Sequence, residues 1–450
     1  MVVLSTAPSV GRKTPFALTH DAPESGESPP IRYRGETHRC QKGFWQGTQR
    51  SIPPAETLER IRPHFPSLGI TRLANITNLD CIGISVTLAI RPNAATLSQG
   101  SGKGFFLEAA LASAAMEAIE VFHAEEPELP TFQLPYEHLS GNRIAIEDML
   151  FTKHHLFTPW WPYRWTMGWD LINQEEVAVP WWLVHMGWHP LRERDLNVFQ
   201  VTSNGLASGN NLLEAINAGL FEVIERDAVA CNRVAWASEK ESPPVVELKS
   251  IRSDKILDLM DRLDRAGVGL VVFDCTVDTE VPVYMAYVYD LRSPSLGVYR
   301  GYGAHLDPEI AMIRAISEAA QGRLIYIAGS RDDVFRHSYL RLKQPDDSPL
   351  VSAMQALTPS VEFGSHPSEA TPSFEGDTHV ALRKLQRAGL RQAIVVDLSR
   401  PELPVNVVKV VVPGLEGYMF DFYTPGRRAK AFAKRRQVEV SHLPGSVASG

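Results

Sequence analysis

Three stretches of this 450-residue chain set acids at helical spacing inside otherwise apolar runs. In FFLEAALASAAMEAIEVFHA, Ser113, Glu117 and Glu120 fall four and three residues apart, which puts them on one helix face. LLEAINAGLFEVIERDAVA carries Glu222, Glu225 and Arg226, and EIAMIRAISEAAQGRLIYIAG carries Glu318, Gln321 and Arg323. One such pair means little, because exposed helix faces are full of them. Three, each launched from a Gly-rich turn and each surrounded by Ala, Leu, Ile and Phe, put carboxylates inside a core. There they need a metal, a base or a hydrogen-bond network to neutralise them. Structural ion pairs would do this; the chemical alternative is a shared acidic cluster holding hard cations. Carboxylate and amide oxygens suit Mg2+. A di-iron bundle would need Glu-x-x-His from two helices, which these do not supply. Mg2+ implies a phosphate substrate, and Arg226, Arg323 and Lys103 could pair with it. Lys103 lies in the turn SGKG, whose N–H groups and following helix N-terminus favour an anion. The turn is no Walker A loop, because Leu97 and Gly104 stand where that motif needs Gly and Ser or Thr.

Something must position these helices, and a weak internal repeat is the candidate. AETLERIRPHFPSLG, ITRLANIT and IGISVTLAI, from Ala55 onward, read as a helix and two strands. The order recurs from Ser253 (KILDLMDRLDRAG, VGLVVFDCT, VPVYMAYVY) and from Thr378 (HVALRKLQRAG, LRQAIVVDLS, LPVNVVKVV). The fold class is therefore α+β (mixed α/β), with repeated helix–strand–strand units forming sheets and helices packed on a face. Asn210 or Asn211 is the expected N-cap of the second acidic helix, with Glu214 as its capping-box partner. Asp307 caps the third, with Pro308 at its first position. The expected organisation is a tail over 1–30, one interleaved catalytic domain over 31–420 and a basic tail over 421–450. Gln344 to Asp377 reads as a long surface loop.

Composition narrows the rest. The chain has 45 basic against 52 acidic residues, a net charge of −7, so nucleic acid and anionic membrane surfaces are not the expected partners. Four scattered cysteines and no apolar run of membrane-spanning length read as a cytoplasmic protein. The tryptophan-rich runs PWWPYRW and PWWLVHMGWHP read as packing.

At the acidic helices the chain resembles the YcaO superfamily. That family's ATP site carries S-x-x-x-E-x-x-E, E-x-x-E-R and E-x-x-Q-x-R, here Ser113–Glu120, Glu222–Arg226 and Glu318–Arg323. The flanking GKG at 102–104 and SNGLASGN at 203–210 match as well, and the likeness runs from about Tyr33 to about Gly417. The opening YRGETHR and the later VKVVVPGLEG resemble the branch encoded beside a TfuA-like partner. The resemblance implies a YcaO-like fold with ATP and Mg2+ as cofactors. Glu117, Glu120, Glu222, Glu225 and Glu318 would then serve the metal. Lys103, Arg226 and Arg323 would serve phosphates, and Ser113 and Gln321 would orient ligands. It also implies ATP-dependent O-phosphorylation of a peptide-backbone amide in a ribosomally made peptide or protein. Sulfide as nucleophile gives a thioamide; a Cys, Ser or Thr side chain gives an azoline. A non-catalytic accessory factor for methylthiolation is the third alternative. The implied partners are the substrate, a TfuA-like protein and a second copy of the chain. Two departures stand out: Ala218 replaces a polar residue before Glu222, and the terminal LPGSVASG lacks the proline-rich end of azoline-forming members.

Overall fold

A computed structural model describes residues 28–187, 198–239, 242–292, 297–331, 348–417 and 423–441. Nearly all of the expected N-terminal tail and the last residues of the chain lie outside these.

The repeat exists, and each copy is larger than the sequence pattern suggested. In the N-terminal unit, helix Pro54–Ile61 is followed by strands Arg72–Asn75, Ser85–Ile90 and Gln99–Gly104, an antiparallel sheet in that order. The third strand leads directly into the first acidic helix, Leu107–Glu125. The middle unit repeats this with helix Asp254–Arg265, strands Val268–Asp274, Val283–Asp290 and Val298–Ala304, and the third acidic helix, Pro308–Ala328. The C-terminal unit has helix Phe374–Arg387 and strands Ile394–Asp397 and Asn406–Val411, but its third strand comes from much earlier in the chain. Leu206–Gly209 pairs antiparallel with Asn406–Val411 and launches the second acidic helix, Leu212–Glu239. Strands Phe132–Pro135, Pro162–Asp170 and Glu175–Pro180 extend this last sheet.

Local chemistry explains the boundaries. Ser253 caps the Asp254 helix by accepting from the Ile256 N–H, and Asp307 caps the third acidic helix by accepting from the Glu309 N–H, with Pro308 following. That helix ends at Gly329 in the left-handed region, φ 61°. Asn211 caps the second acidic helix, its Oδ1 accepting from the Glu214 N–H at 3.0 Å. Glu214 does not close a capping box. Its carboxylate accepts instead from the Ser51 N–H and Oγ, at 3.1 and 2.8 Å, and so ties down a segment far away in sequence.

Two other expectations change. The stretch from Gln344 to Asp377 is not one long loop: among its described residues are helix Ser348–Gln355, strand Val361–Glu362 and the start of helix Phe374–Arg387. Two of its acids, Glu375 and Asp377, are buried and partnered. Buried Asp377 takes the Lys42 ammonium at 2.5 Å and the Thr371 N–H at 2.7 Å. The basic C-terminal residues form helix Arg427–Ser441, which packs along the second acidic helix. There Arg428 Nε donates to both oxygens of fully buried Asp227, at 2.9 and 2.8 Å.

The acidic helices lie backbone-to-backbone on their launching strands. A Cβ on Gly102 would stand 2.1 Å from the Ala110 oxygen and 2.2 Å from the Ala114 nitrogen. On Gly303 it would stand 2.0 Å from the Ala311 oxygen. Only glycine on the strand and alanine on the helix permit that approach. Among the described residues no helix is long and apolar enough to cross a membrane.

Candidate functional site

The three units share one register. Gly104, Gly209 and His305 occupy the same place before their helices, and Glu117, Glu222 and Glu318 follow them at one common interval. One turn later stand Glu120, Glu225 and Gln321; one turn earlier stand Ser113, Ala218 and Arg314. The packing closes this repeat into a ring. Beyond its own strand, the first acidic helix touches the Leu206–Gly209 strand, the second touches Val298–Ala304, and the third touches Gln99–Gly104. Each helix thus bridges to another unit.

The cross-unit contacts carry polar groups. Glu120 on the first helix accepts from Ser208 of the C-terminal unit, N–H at 2.9 Å and Oγ at 2.6 Å. Glu318 on the third helix accepts from Lys103 of the N-terminal unit at 2.7 Å. Arg226 on the second helix lies over the Tyr302 ring of the middle unit, 5.6 Å from its centroid, and pairs with its neighbour Glu225 at 3.2 Å. Glu117 accepts from Ser101 within its own unit, N–H at 2.7 Å and Oγ at 3.2 Å.

Five carboxylates so close together repel one another, and their surroundings record it. Burial, reinforced by Glu117 and Glu222, pushes Glu120 up to about 8. Burial and the charges of Glu318 and Glu222 push Glu225 up to about 7, although Arg226 opposes them. Burial also raises Glu117 and Glu222. Glu318 goes the other way: burial works to raise it, but Lys103 and Arg226 outweigh that and hold it below the usual carboxylate range. Glu117 and Glu120 are hydrogen-bonded by neutral donors, so the ring's negative charge is only partly met by protein. The site is recessed yet open, with 24% of the Glu318 side chain and 25% of Lys103 reachable by solvent.

This donor set fits a magnesium nucleotide. Among the described residues no three of His, Cys, Asp and Glu form a ready metal cage. Mg2+ prefers one or two carboxylates completed by water and substrate phosphates. Raised, half-buried carboxyls facing an opening are groups that a divalent cation would return to their ionised form.

Most of the residues singled out from sequence converge here, Ser113 lying half-buried one turn before Glu117. Arg323 does not. Two residues beyond Gln321 the helix has turned it to another face. Its guanidinium binds Asp80 (Nε to Oδ2, 2.8 Å) and Asp290 (3.4 Å), tying the first unit to the middle one. Two further cations that sequence reading overlooked act on the ring's carboxylates. Arg314, in the register place of Ser113, acts on Glu222, Glu225 and Glu318. Lys409, on strand Asn406–Val411, is only 3% exposed; burial lowers it to about 8 while Glu222 pulls it back. Arg314 was legible by counting back from Glu318. Lys409 was not: it stands inside VKVVVPGLEG, but nothing in that run shows that its side chain meets Glu222, far away in sequence. His123, three residues after Glu120, was also passed over. It is no ligand, since its Nδ1 donates to the Ile119 oxygen at 2.7 Å and burial lowers it to about 4.

Comparison with known proteins assigns the stretch that carries the three acidic helices to one family. Residues 101–416 match the family model for YcaO cyclodehydratases, described as ATP- and Mg2+-binding. The chain is 37% identical over 406 residues to an uncharacterised protein in the tfuA 3′ region of Rhizobium leguminosarum bv. trifolii, covering 85% of this chain and 92% of that one. It is 36% identical over 409 residues to an uncharacterised protein of Methanothermobacter thermautotrophicus, covering 85% and 99%. Among solved structures it resembles the YcaO protein of Methanopyrus kandleri bound with AMPPCP and Mg2+ (TM-score 0.67, 25% identity, 86% of this chain and 100% of that chain). A heterocyclase in complex with substrate and cofactor shares the fold (TM-score 0.72, 23% identity), this chain matching 89% of itself to 56% of that one.

Proposed function

The chain belongs to the YcaO family, whose domain binds ATP and Mg2+, and from that premise we propose that it activates a backbone amide of a ribosomally made peptide or protein for thioamide formation. The observation that carries the reading is the ring itself. Three units deliver five carboxylates to one opening, two of them hydrogen-bonded by neutral groups, with cations on the periphery. Such a site is built for a polyphosphate bridged by metal.

In this reading Glu117, Glu120, Glu222, Glu225 and Glu318 hold Mg2+, directly or through water. When bound, Mg2+ neutralises the phosphates and draws charge from the bridging oxygens. Lys103, Arg226 and Arg314 meet the phosphate oxygens, and Ser113 and Gln321 orient the bound group. Hydrosulfide adds through sulfur to the amide carbon, and the carbonyl electron pair moves to oxygen. That oxygen takes the terminal phosphoryl group and ADP departs. The C–O bond then breaks, phosphate leaves with the sulfur-bound proton, and C=S forms with the amide N–H retained. An amide oxygen leaves poorly, and phosphorylation makes it a good leaving group, so positioning and charge neutralisation are the protein's main work. No Ser-His-Asp arrangement is required.

The relative beside tfuA supports sulfide as nucleophile and a TfuA-like protein as partner. Azoline formation is the second reading, favoured by the family description as cyclodehydratase. One experiment separates them: protein, TfuA-like partner, ATP, Mg2+, sulfide and a candidate peptide, with the product weighed by mass spectrometry. Oxygen-to-sulfur exchange is the expected result. Loss of water instead would establish the azoline, and unaltered peptide with unconsumed ATP would sink both.

A further inference from the structure

We propose that the cavity beside Lys409 is a pocket for a small monoanion, held next to the acidic ring by the Lys409 ammonium. Its occupant during the reaction is hydrosulfide; that identity rests on the thioamide reading, whereas the pocket itself does not. The cavity measures about 80 Å3 and is lined by Gln200, Thr202, Asn204, Val223, Lys409 and the stretch Val410–Pro413.

Register shows that Lys409 is out of place as a core residue. It pairs across the strands with Leu206, as Leu88 pairs with Ser101 and Met285 with Tyr302. The three partners stand at the same place before Gly209, Gly104 and His305. Two units therefore fill this position with buried Leu and Met, while the third buries a lysine. Its ammonium donates to the Thr202 oxygen at 2.5 Å and faces Glu222. Glu222 is one of the carboxylates assigned to Mg2+. Once its charge is committed there, Lys409 meets the cavity with its own charge unspent.

The other charges around the cavity are answered elsewhere. Asp148 pairs with Arg391 at 3.2 Å, and the Glu416 carboxylate accepts from the Tyr423 hydroxyl and from the Gly426 and Ala429 N–H groups. The Asn204 Oδ1 is buried without a hydrogen-bond partner. Rotated about its last bond, the same amide offers an N–H2 to an anion. One ammonium without an arginine in the lining matches a single negative charge and falls short of a phosphate dianion. The place is right for a nucleophile, because Asn204 precedes Gly205, whose N–H is bonded to the Glu222 carboxylate.

Met is what the middle unit carries here, so Lys409→Met keeps the packing. Crystals of the wild type and the variant are soaked in bromide, close to hydrosulfide in size and charge, and the ion is located by anomalous scattering. In parallel, KM is measured for sulfide and for ATP with Mg2+, the TfuA-like partner and peptide. Bromide should occupy the wild-type cavity and vanish in the variant, whose KM for sulfide rises tenfold or more while that for ATP stays within twofold. An empty wild-type cavity overturns the pocket. Parallel changes in both Michaelis constants overturn the nucleophile role and leave Lys409 a counter-ion of Glu222. A wild type that incorporates no sulfur at all sinks the thioamide reading and hydrosulfide with it, while bound bromide still supports the monoanion pocket.

Discussion

Glu120 shows how much of this site is stored electrostatic cost. Its carboxyl is raised to about 8 and that of Glu225 to about 7, so both are partly protonated near neutrality. A carboxyl raised on folding favours the folded state while it holds its proton, and that advantage drains away as pH climbs from the ordinary carboxyl range through the raised value. The nucleotide-free protein should therefore lose thermal stability between about pH 5 and pH 8, and Glu120→Gln should flatten the slope. Calorimetry across that range decides it, and an unchanged slope in the variant would refute the account. Binding of Mg2+ with a non-hydrolysable ATP analogue should also release protons, visible as a dependence of binding heat on the buffer's ionisation enthalpy. Arg323 and Arg314 supply the contrasting pair. Arg323→Gln should leave nucleotide affinity nearly unchanged while destabilising the fold, because it strips Asp80 and Asp290 of their cation. Arg314→Gln should weaken nucleotide binding about tenfold or more, worth about 1.4 kcal/mol. If fluorescence titration gives the reverse order, Arg323 belongs to the phosphates after all. The sequence pattern led to Arg323 because it ended the motif string; counting by helix turns would have led to Arg314.

At the level of elements, the strand glycines set where the helices can lie. Gly102→Ala places a methyl against the backbone of the first acidic helix, and overpacking of this kind costs about 1–3 kcal/mol or more. The displaced helix should lose Mg2+-nucleotide binding along with stability. Gly322→Ala is the control: it lies inside the third acidic helix, and its Cβ would meet the Arg300 oxygen at an ordinary 3.7 Å. There alanine should stabilise by about 0.5–1 kcal/mol through helix propensity. Urea denaturation of the two variants should move in opposite directions. These elements were the most legible part of the chain, because helical acid spacing and Gly-Ser-Gly-Lys-Gly are local signals. The run from Gln344 to Asp377 was misread for the complementary reason. Glu375 and Asp377 are polar in sequence and buried in space, and their partners Cys40 and Lys42 lie hundreds of residues away.

For the molecule as a whole, the C-terminal helix is a brace on the active ring. Asp227 directly follows Arg226 and is fully buried against Arg428. Arg428→Ala would leave that carboxylate without its cation, a loss of about 3–5 kcal/mol for a buried pair. Chemical denaturation should register it, and ATP consumption should fall with it because the motif arginine is the next residue. Full stability in the variant would mean that the helix merely rests on the surface. None of this was readable beforehand: the arginine cluster read only as a basic tail, and nonlocal packing alone reveals which acids it meets.

The divided third unit bears on how the protein comes into being. As the chain leaves the ribosome, the second acidic helix emerges with its strand Leu206–Gly209 but without the neighbour it must pair with, Asn406–Val411. Contacts of such long sequence separation are slow to form and come last. The ability to consume ATP should therefore switch on only at the end of folding. Partly made chains would be spared from spending nucleotide, and the exposed acidic helix would be the segment most in need of shelter until its sheet arrives.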